Sequence, residues 1–499
     1  MILTILLYTA VAVLITLLIY LVHEEFLFKM MNLPPGPRSL PLLGNILQIS
    51  PKQLHLSLST LAQKYGPTIS IKFGKDRVVI LSEAETVKAA YRGEAITSRP
   101  KIFSIDFFIS KGFMACTDRA HFKIHTKVMK HAFRVISNTS LGAKLADEAR
   151  SLIDAFDSFA EAPFDPREDT NLASLNVLYN IAFGRRYRKA DRELQEIFDY
   201  SHDIMRGVSP VHPLNLVPWL QSVPNPWMDS LQRARSKRDH HLLTLYQQHI
   251  DTYEEGTVRD MVDALVRVAL KAKREGDDQT LELLSPEHIT TNIWTIFFAG
   301  MDTVLNALLW VFLYMAAFPH VQQRIQTQID AAIGHGRLPT LEDEQMLPLL
   351  SATIYETLRY SSLSLLGVPH AAVTDTEIDG FFIPKGTQVM ANFWAINHDP
   401  SVWHKPYEFD PDRFLDGEGR LRSLKDFPYF MPFSTGQRAC LGKNIGKSEI
   451  FVLSACLLQR FTLQQLPTAT MDDLQPNINF DLVPKPYKII AKRRDAADN

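Results

Sequence analysis

The chain has 499 residues, 46% of them apolar and 22% charged, a globular composition with enough apolar sequence for one large domain or two to three smaller ones. A formal net charge of -2 gives no overall basic field, so a nucleic-acid backbone is not an expected partner. The three cysteines, Cys116, Cys440 and Cys456, contain no C-x-x-C pair and fit neither a disulfide framework nor a thiolate zinc site, which points to a reducing compartment.

The amino terminus opens with 21 uncharged residues, Ile2 to Val22, long enough to span a bilayer as a helix. A cleaved signal peptide is the alternative, but no basic stretch precedes the run and no A-x-A-like site follows it. Lys29 and Arg38 follow the span, which predicts a cytoplasmic body, on which the sequon Asn138-Thr139-Ser140 stays unmodified. Pro34, Pro35 and Pro37 around Gly36 predict a stiff extended hinge over 23–40, with the body from 41 to 499. Thr68 to Leu81 alternates like a hairpin around Gly74. Beyond it the pattern is mainly helical, with small β-rich patches near Asp375 to Met390 and near the end, and Lys271 to Glu282 is the only later linker-like stretch.

One long helix is predicted from Pro286 to Phe318, N-capped by Ser285, with Glu287 at its positive end and Pro319 beyond it. Its apolar half, Val304 to Phe318, would also suit a membrane, but Asn306 and Asp302 argue for a buried central helix. Lys123, Lys127, Lys130 and Arg134 recur at helical spacing, and Lys443 and Lys447 add to the basic character near Cys440. Neither G-x-G-x-x-G nor a P-loop is present, so the chain shows no sign of binding NADPH or flavin itself.

The most specific motif is F-x-x-G-x-R-x-C-x-G, formed by Phe433, Gly436, Arg438, Cys440 and Gly442. On it the chain resembles the cytochrome P-450 superfamily, whose haem-thiolate loop carries this pattern. The resemblance implies a mainly α fold with small β-sheets: a single large haem domain behind an N-terminal transmembrane helix. It implies haem b (iron protoporphyrin IX) with Cys440 as the iron ligand, a thiolate that pushes electron density towards bound oxygen. The glycines would let the backbone turn close to the porphyrin, Phe433 would pack beside the sulfur, and Arg438 would pair with a haem propionate.

Other segments fall where the family has them. Glu356 and Arg359 in "ETLR" and Arg413 in "PDRF" match the family's buried Glu-Arg-Arg network, a structural device. "AGMDT", Ala299 to Thr303, matches the oxygen-binding segment, with Asp302 and Thr303 as the proton-delivery pair. The family's W-x-x-x-R is replaced by Phe122 and Thr126, with Lys127 or His121 as substitutes, and Lys111 and His370 occupy positions that hold propionates in microsomal relatives. Phe298, Ala299, Leu366, Val368, Phe107 and Phe108 are the expected substrate-pocket residues. "LNLVPWLQSVPNP" and "WAINHDPSVWHKPYEFDPDRF" look most like animal microsomal members, between the steroid 17-hydroxylase and aryl-hydrocarbon hydroxylase groups. The resemblance therefore implies a monooxygenase of the endoplasmic reticulum membrane, single-pass and facing the cytoplasm. It would act on a small apolar substrate with O2, drawing electrons from an NADPH-dependent cytochrome reductase, with cytochrome b5 as a second donor. A peroxide isomerase of the same fold and a non-catalytic membrane haem-binding protein are the alternatives.

Overall fold

A computed structural model describes residues 30–494 except 42, 75, 209–211, 471–473 and 479–480, with scattered positions before residue 30. The apolar run Ile2 to Val22 thus lies largely outside the described residues. Within them the contacts define two compact units, Met1–Pro100, Ser364–Tyr407 and Phe427–Ala439 in one, and Lys101–Leu363, Glu408–Asp426 and Cys440–Asn499 in the other. No linker composition marks this division, because the chain leaves and re-enters each unit through ordinary folded sequence.

The first unit is built on a four-stranded sheet. Strands β1 (Thr68–Phe73) and β2 (Asp76–Leu81) form the expected hairpin, with Gly74 at φ +60°. They are joined by β3 (His370–Ala371) and β6 (Gln388–Ala391) in the order β1-β2-β6-β3, with β2 and β6 parallel. A separate hairpin pairs β4 (Thr376–Ile378) with β5 (Phe381–Ile383). Strand β2 is covered on both faces. Val79 and Leu81 pack with Val87, Ala90 and Tyr91 of helix α2 (Ala84–Arg92), while Val78 and Ile80 pack with Leu58 of helix α1 (Leu54–Tyr65). The proline-rich segment lies against β1: the Ser70 N–H donates to the Pro35 carbonyl, and a Cβ on Gly36 would collide with the Ser70 carbonyl.

The second unit is helical. Its main helices are α3 (Phe103–Ile109), α4 (Arg119–Thr139), α5 (Leu141–Asp157), α6 (Arg167–Phe183), α7 (Arg192–Gly207), α8 (Pro226–Asp251), α9 (Met261–Glu275), α10 (Pro286–Ala317), α11 (Pro319–Ala332), α12 (Pro348–Ser361) and α13 (Lys443–Arg460). Helix α10 is the predicted long helix. Ser285 accepts from the His288 N–H, the helix ends at Ala317, and Pro319 occupies the first turn of the next helix rather than simply stopping this one. It alone among the described residues is long and apolar enough to cross a bilayer, yet Leu305 to Ala316 are buried by protein, with α6 and α13 among its neighbours. The stretch of linker-like composition, Lys271 to Glu282, is helical at both ends. Helix α9 runs on to Glu275, Gly276 ends it in a left-handed turn at φ +69°, and Asp278–Glu282 forms a further short helix. Its charged residues lie on the solvent faces of those helices, which mimics linker composition.

Candidate functional site

The cysteine loop belongs to both units, and each part has its own logic. In the first unit Gly436 adopts φ +76°, and a Cβ there would come within 1.9 Å of the Tyr91 carbonyl, so no other residue fits this turn. Two residues on, the Arg438 Nε donates to the Thr97 carbonyl at 2.9 Å. Nearby, Arg99 donates to the carbonyls of Val368 and Pro369, and burial followed by the neighbouring Arg438 charge pushes its guanidinium down to about 9. His370 stacks on Tyr91 at 3.8 Å, and burial, then Arg99, pushes it down to about 3. Its Nδ1 lies 2.9 Å from the Ile96 carbonyl, so the neutral ring spends its one N–H there and presents Nε2 as an acceptor. Arg99 and Arg438 are thus two cations brought together inside the protein, donors suited to carboxylates.

In the second unit Cys440 precedes helix α13, whose N-cap is Gly442. Gly442 has φ -82°, and nothing lies close enough to crowd a methyl group there, so its use is to cap the helix rather than to permit a special turn. The Cys440 side chain is exposed, whereas Cys116 and Cys456 are buried and donate to the carbonyls of Asp118 and Pro339. Protein atoms around Cys440 raise its thiol above the usual value, opposed by the N–H groups of Gly442 and Lys443 and by the Lys443 charge. Burial pushes Cys456 up to about 12. A soft, accessible sulfur held by backbone N–H groups at a helix N-terminus fits an iron ligand, because metal binding deprotonates such a thiol.

Helix α13 packs on α10, with Gly446 facing Val304, one residue past Thr303. Along α10 the stretch Phe298 to Val304 is partly or fully exposed, between fully buried Phe297 and Leu305. Thr303 donates its hydroxyl to the Ala299 carbonyl at 2.8 Å, a back-bonded threonine in mid-helix. Asp302 is held above the usual carboxylate range by burial, offset by Arg167 and then His202. Arg167 also donates to Asn306, which donates to the Asp302 backbone carbonyl at 2.7 Å.

The structure brings Glu356, Arg359 and Arg413 together. Both Glu356 oxygens pair with Arg359 at 2.7 and 2.8 Å, Arg413 Nε lies 3.1 Å from one of them, and the Asp410 N–H donates to the other. The other expected residues have varied surroundings. Lys111 is half-exposed and pairs with Glu287, and with Phe107 and Phe108 it lines a largely polar cavity of about 190 Å³ beside Arg235 and Arg238. Leu366 packs into the apolar cluster under β1, and Val368 is exposed. Phe122 is buried, and the Thr126 hydroxyl is buried without a hydrogen-bond partner, whereas His121 and Lys127 are exposed. Arg99 went unmarked in the sequence; its only signal is a lone cation in the otherwise uncharged stretch Ala95 to Pro100.

The sequence pattern of the cytochrome P-450 family matches residues 34–491. The chain belongs to the cytochrome P-450 family. Steroid 17-alpha-hydroxylase/17,20 lyase of Rana dybowskii is 32% identical over 474 residues, covering 93% of this chain and 91% of the relative. Cytochrome P-450 1A1 of Rattus norvegicus is 33% identical over 460 residues, covering 89% and 87%. As a cytochrome P-450 the protein is a monooxygenase, an oxidoreductase that binds haem b iron through a cysteine thiolate. The mostly helical architecture with small sheets agrees with this membership.

Proposed function

We propose that the protein is a membrane-anchored cytochrome P-450 that hydroxylates a flat, rigid, apolar substrate at a haem held by Cys440. The supporting observation is Cys440 itself, the exposed cysteine of the three, with backbone N–H groups of a helix N-terminus directed at its sulfur. When bound, haem supplies dioxygen binding and reductive O–O cleavage. Arg438 and Arg99 hold the propionates. His370 stacks on Tyr91 and contributes a proton only when a carboxylate favours its charged form. Phe433 shields the sulfur from water. Asp302, whose carboxyl retains its proton to higher pH than usual, passes protons towards the Thr303 hydroxyl, and Phe298 narrows the space above Ala299.

Relatives whose names specify steroid 17-hydroxylation support the substrate class. Exposed Ile5, Tyr8, Val11, Ile15, Ile19 and Val22 support an N-terminal anchor in the endoplasmic reticulum membrane, with the body in the cytoplasm. Electrons come from NADPH through a separate reductase, with cytochrome b5 as a second donor, and Lys123, Lys127, Lys130 and Arg134 on one exposed stripe of α4 form the docking charge. The test is the carbon monoxide difference spectrum of the reduced protein. A band at about 450 nm in the wild type and its loss in Cys440→His establish the ligand. A 450 nm band that survives Cys440→His excludes Cys440.

A further inference from the structure

Phe297 lies two residues before Ala299 on α10, and at 100° per residue its side chain leaves the helix roughly opposite Ala299 and Thr303. It is buried and stacks on the ring of Tyr179 from α6 at 4.5 Å. The Tyr179 hydroxyl has two polar neighbours, the Tyr200 hydroxyl of α7 at 3.3 Å and Nε2 of His241 from α8 at 3.4 Å. Trp294, one turn earlier on α10, approaches Tyr200 with ring centroids 5.9 Å apart. Tyr187 meets Tyr179 edge-on at 5.0 Å and donates its own hydroxyl to Glu193 at 3.0 Å. Nδ1 of His241 also faces Glu193, at 3.6 Å.

This cluster is more than filling for the helix interface. Burial raises the Tyr179 phenol well above its ordinary value, so it stays protonated, and burial lowers His241, so the imidazole is neutral at pH 7. With Nδ1 facing Glu193, the tautomer that keeps its proton on Nδ1 leaves the Nε2 lone pair for Tyr179. A buried phenol cannot be oxidised without losing its proton, since the resulting cation would be an uncompensated charge in a dry interior. Here a base stands within hydrogen-bond reach of the phenol, and a half-exposed carboxylate stands behind the base to balance the imidazolium.

We propose that Tyr179, assisted by Tyr200 and His241, is a one-electron donor that consumes oxidising equivalents at the haem when no substrate is present to take them. In the step the Tyr179 O–H bond breaks, the proton goes to His241 Nε2, and the electron passes by way of Phe297 and α10 to the haem-centred oxidant generated from O2 or a hydroperoxide. A neutral phenoxyl radical remains, hydrogen-bonded by the Tyr200 hydroxyl. The inference rests on the reading that Ala299 to Thr303 line the haem.

The experiment mixes the substrate-free ferric holoenzyme with a peracid, freezes the mixture at successive times and records electron paramagnetic resonance spectra. The expected result is a phenoxyl signal in the wild type that is lost in Tyr179→Phe and changes its hyperfine shape in Tyr200→Phe. Repeated peracid additions then bleach the Tyr179→Phe haem faster than the wild-type haem. A signal unchanged in Tyr179→Phe, or no radical in a wild type with a normal thiolate carbon monoxide spectrum, overturns the inference and leaves the monooxygenase reading intact. Absence of the thiolate spectrum in the wild type overturns both. The carbon monoxide spectrum of Tyr179→Phe verifies that this variant is folded and loaded, and Tyr187→Phe, which keeps the hydroxyl pair and His241, retains the signal.

Discussion

Two groups of buried charges organise this protein, and they are built on opposite principles. At the carboxyl end of α12, Glu356 is shared between Arg359 and Arg413, the Asp410 N–H completes its shell, and Glu356 and Arg359 are completely buried. In the other unit, Arg99, Arg438 and His370 bring like charges or potential charges together, and burial, followed by repulsion, depresses both Arg99 and His370. Where each buried cation faces a carboxylate, as Arg359 and Arg413 face Glu356, the chain supplies its own counter-charge, and losing that carboxylate is costly. A cationic group raises the energy of the protein alone and becomes favourable when an anion joins it, which is the behaviour of a ligand site.

The largest expected effect follows from breaking the balanced group. Glu356→Gln leaves the Arg359 guanidinium buried without its carboxylate and should cost about 3–5 kcal/mol, read from denaturant unfolding or the loss of soluble haem-loaded protein. A loss of stability below about 1 kcal/mol would mean that the pair is as weak as a surface bridge and that the comparison is mistaken.

Asp302 lies between the two cases, since burial raises its carboxyl and Arg167 pulls it back. Asp302→Asn should lower product formed per electron by about 10²-fold, with substrate binding unchanged. Arg167→Gln removes the main lowering influence, so the carboxyl keeps its proton to still higher pH. The pH at which turnover responds to this group should therefore move up, and an unmoved pH profile would remove Arg167 from the proton path.

A smaller effect with a reversed sign is expected in the cationic group. Arg99→Met relieves both burial of a cation and its repulsion by Arg438, so the haem-free chain should be no less stable than the wild type. Haem loss to an acceptor protein should nevertheless accelerate about tenfold, the worth of one charge-assisted hydrogen bond. If the haem-free chain is destabilised while haem retention is unchanged, Arg99 is structural and the two groups are alike.

These comparisons also explain what was legible in the sequence. The turn at Gly436 and the helix start after Cys440 could be read because both are specified within ten residues, whereas Gly442, expected as a turn glycine, caps the helix instead. The long helix could be read from Ser285, Pro286 and its apolar run. Glu356, Arg359 and Arg413 needed only their order along the chain. Arg99 could not be read, since what defines it is proximity to Arg438, 339 positions away by their numbers. The proton position on His370 was equally hidden, being set by the Ile96 carbonyl. Equally hidden was the setting of Phe107, Phe108 and Lys111, because Arg235, Arg238 and Glu287 come to their cavity from distant helices. Composition signals failed at Lys271 to Glu282, where exposed helical faces carry the same residues as a linker.

The same contrast between engaged and available charge separates two lysines that look equivalent in the sequence. Lys447 donates to the Tyr355 hydroxyl at 2.7 Å, stands over that ring, and lies 3.7 Å from Glu344. Lys127 is exposed on α4, in register with Lys123, Lys130 and Arg134. Reversing Lys127 to Glu should slow reduction by the reductase at low salt by up to about tenfold, an effect that fades as ionic strength rises, with thermal stability unchanged. Reversing Lys447 to Glu should place two carboxylates side by side and lower thermal stability, and any slowing of reduction should persist at high salt. Identical salt dependence in the two variants would mean that both lysines meet the partner, and that engagement within the protein does not withdraw a charge from docking.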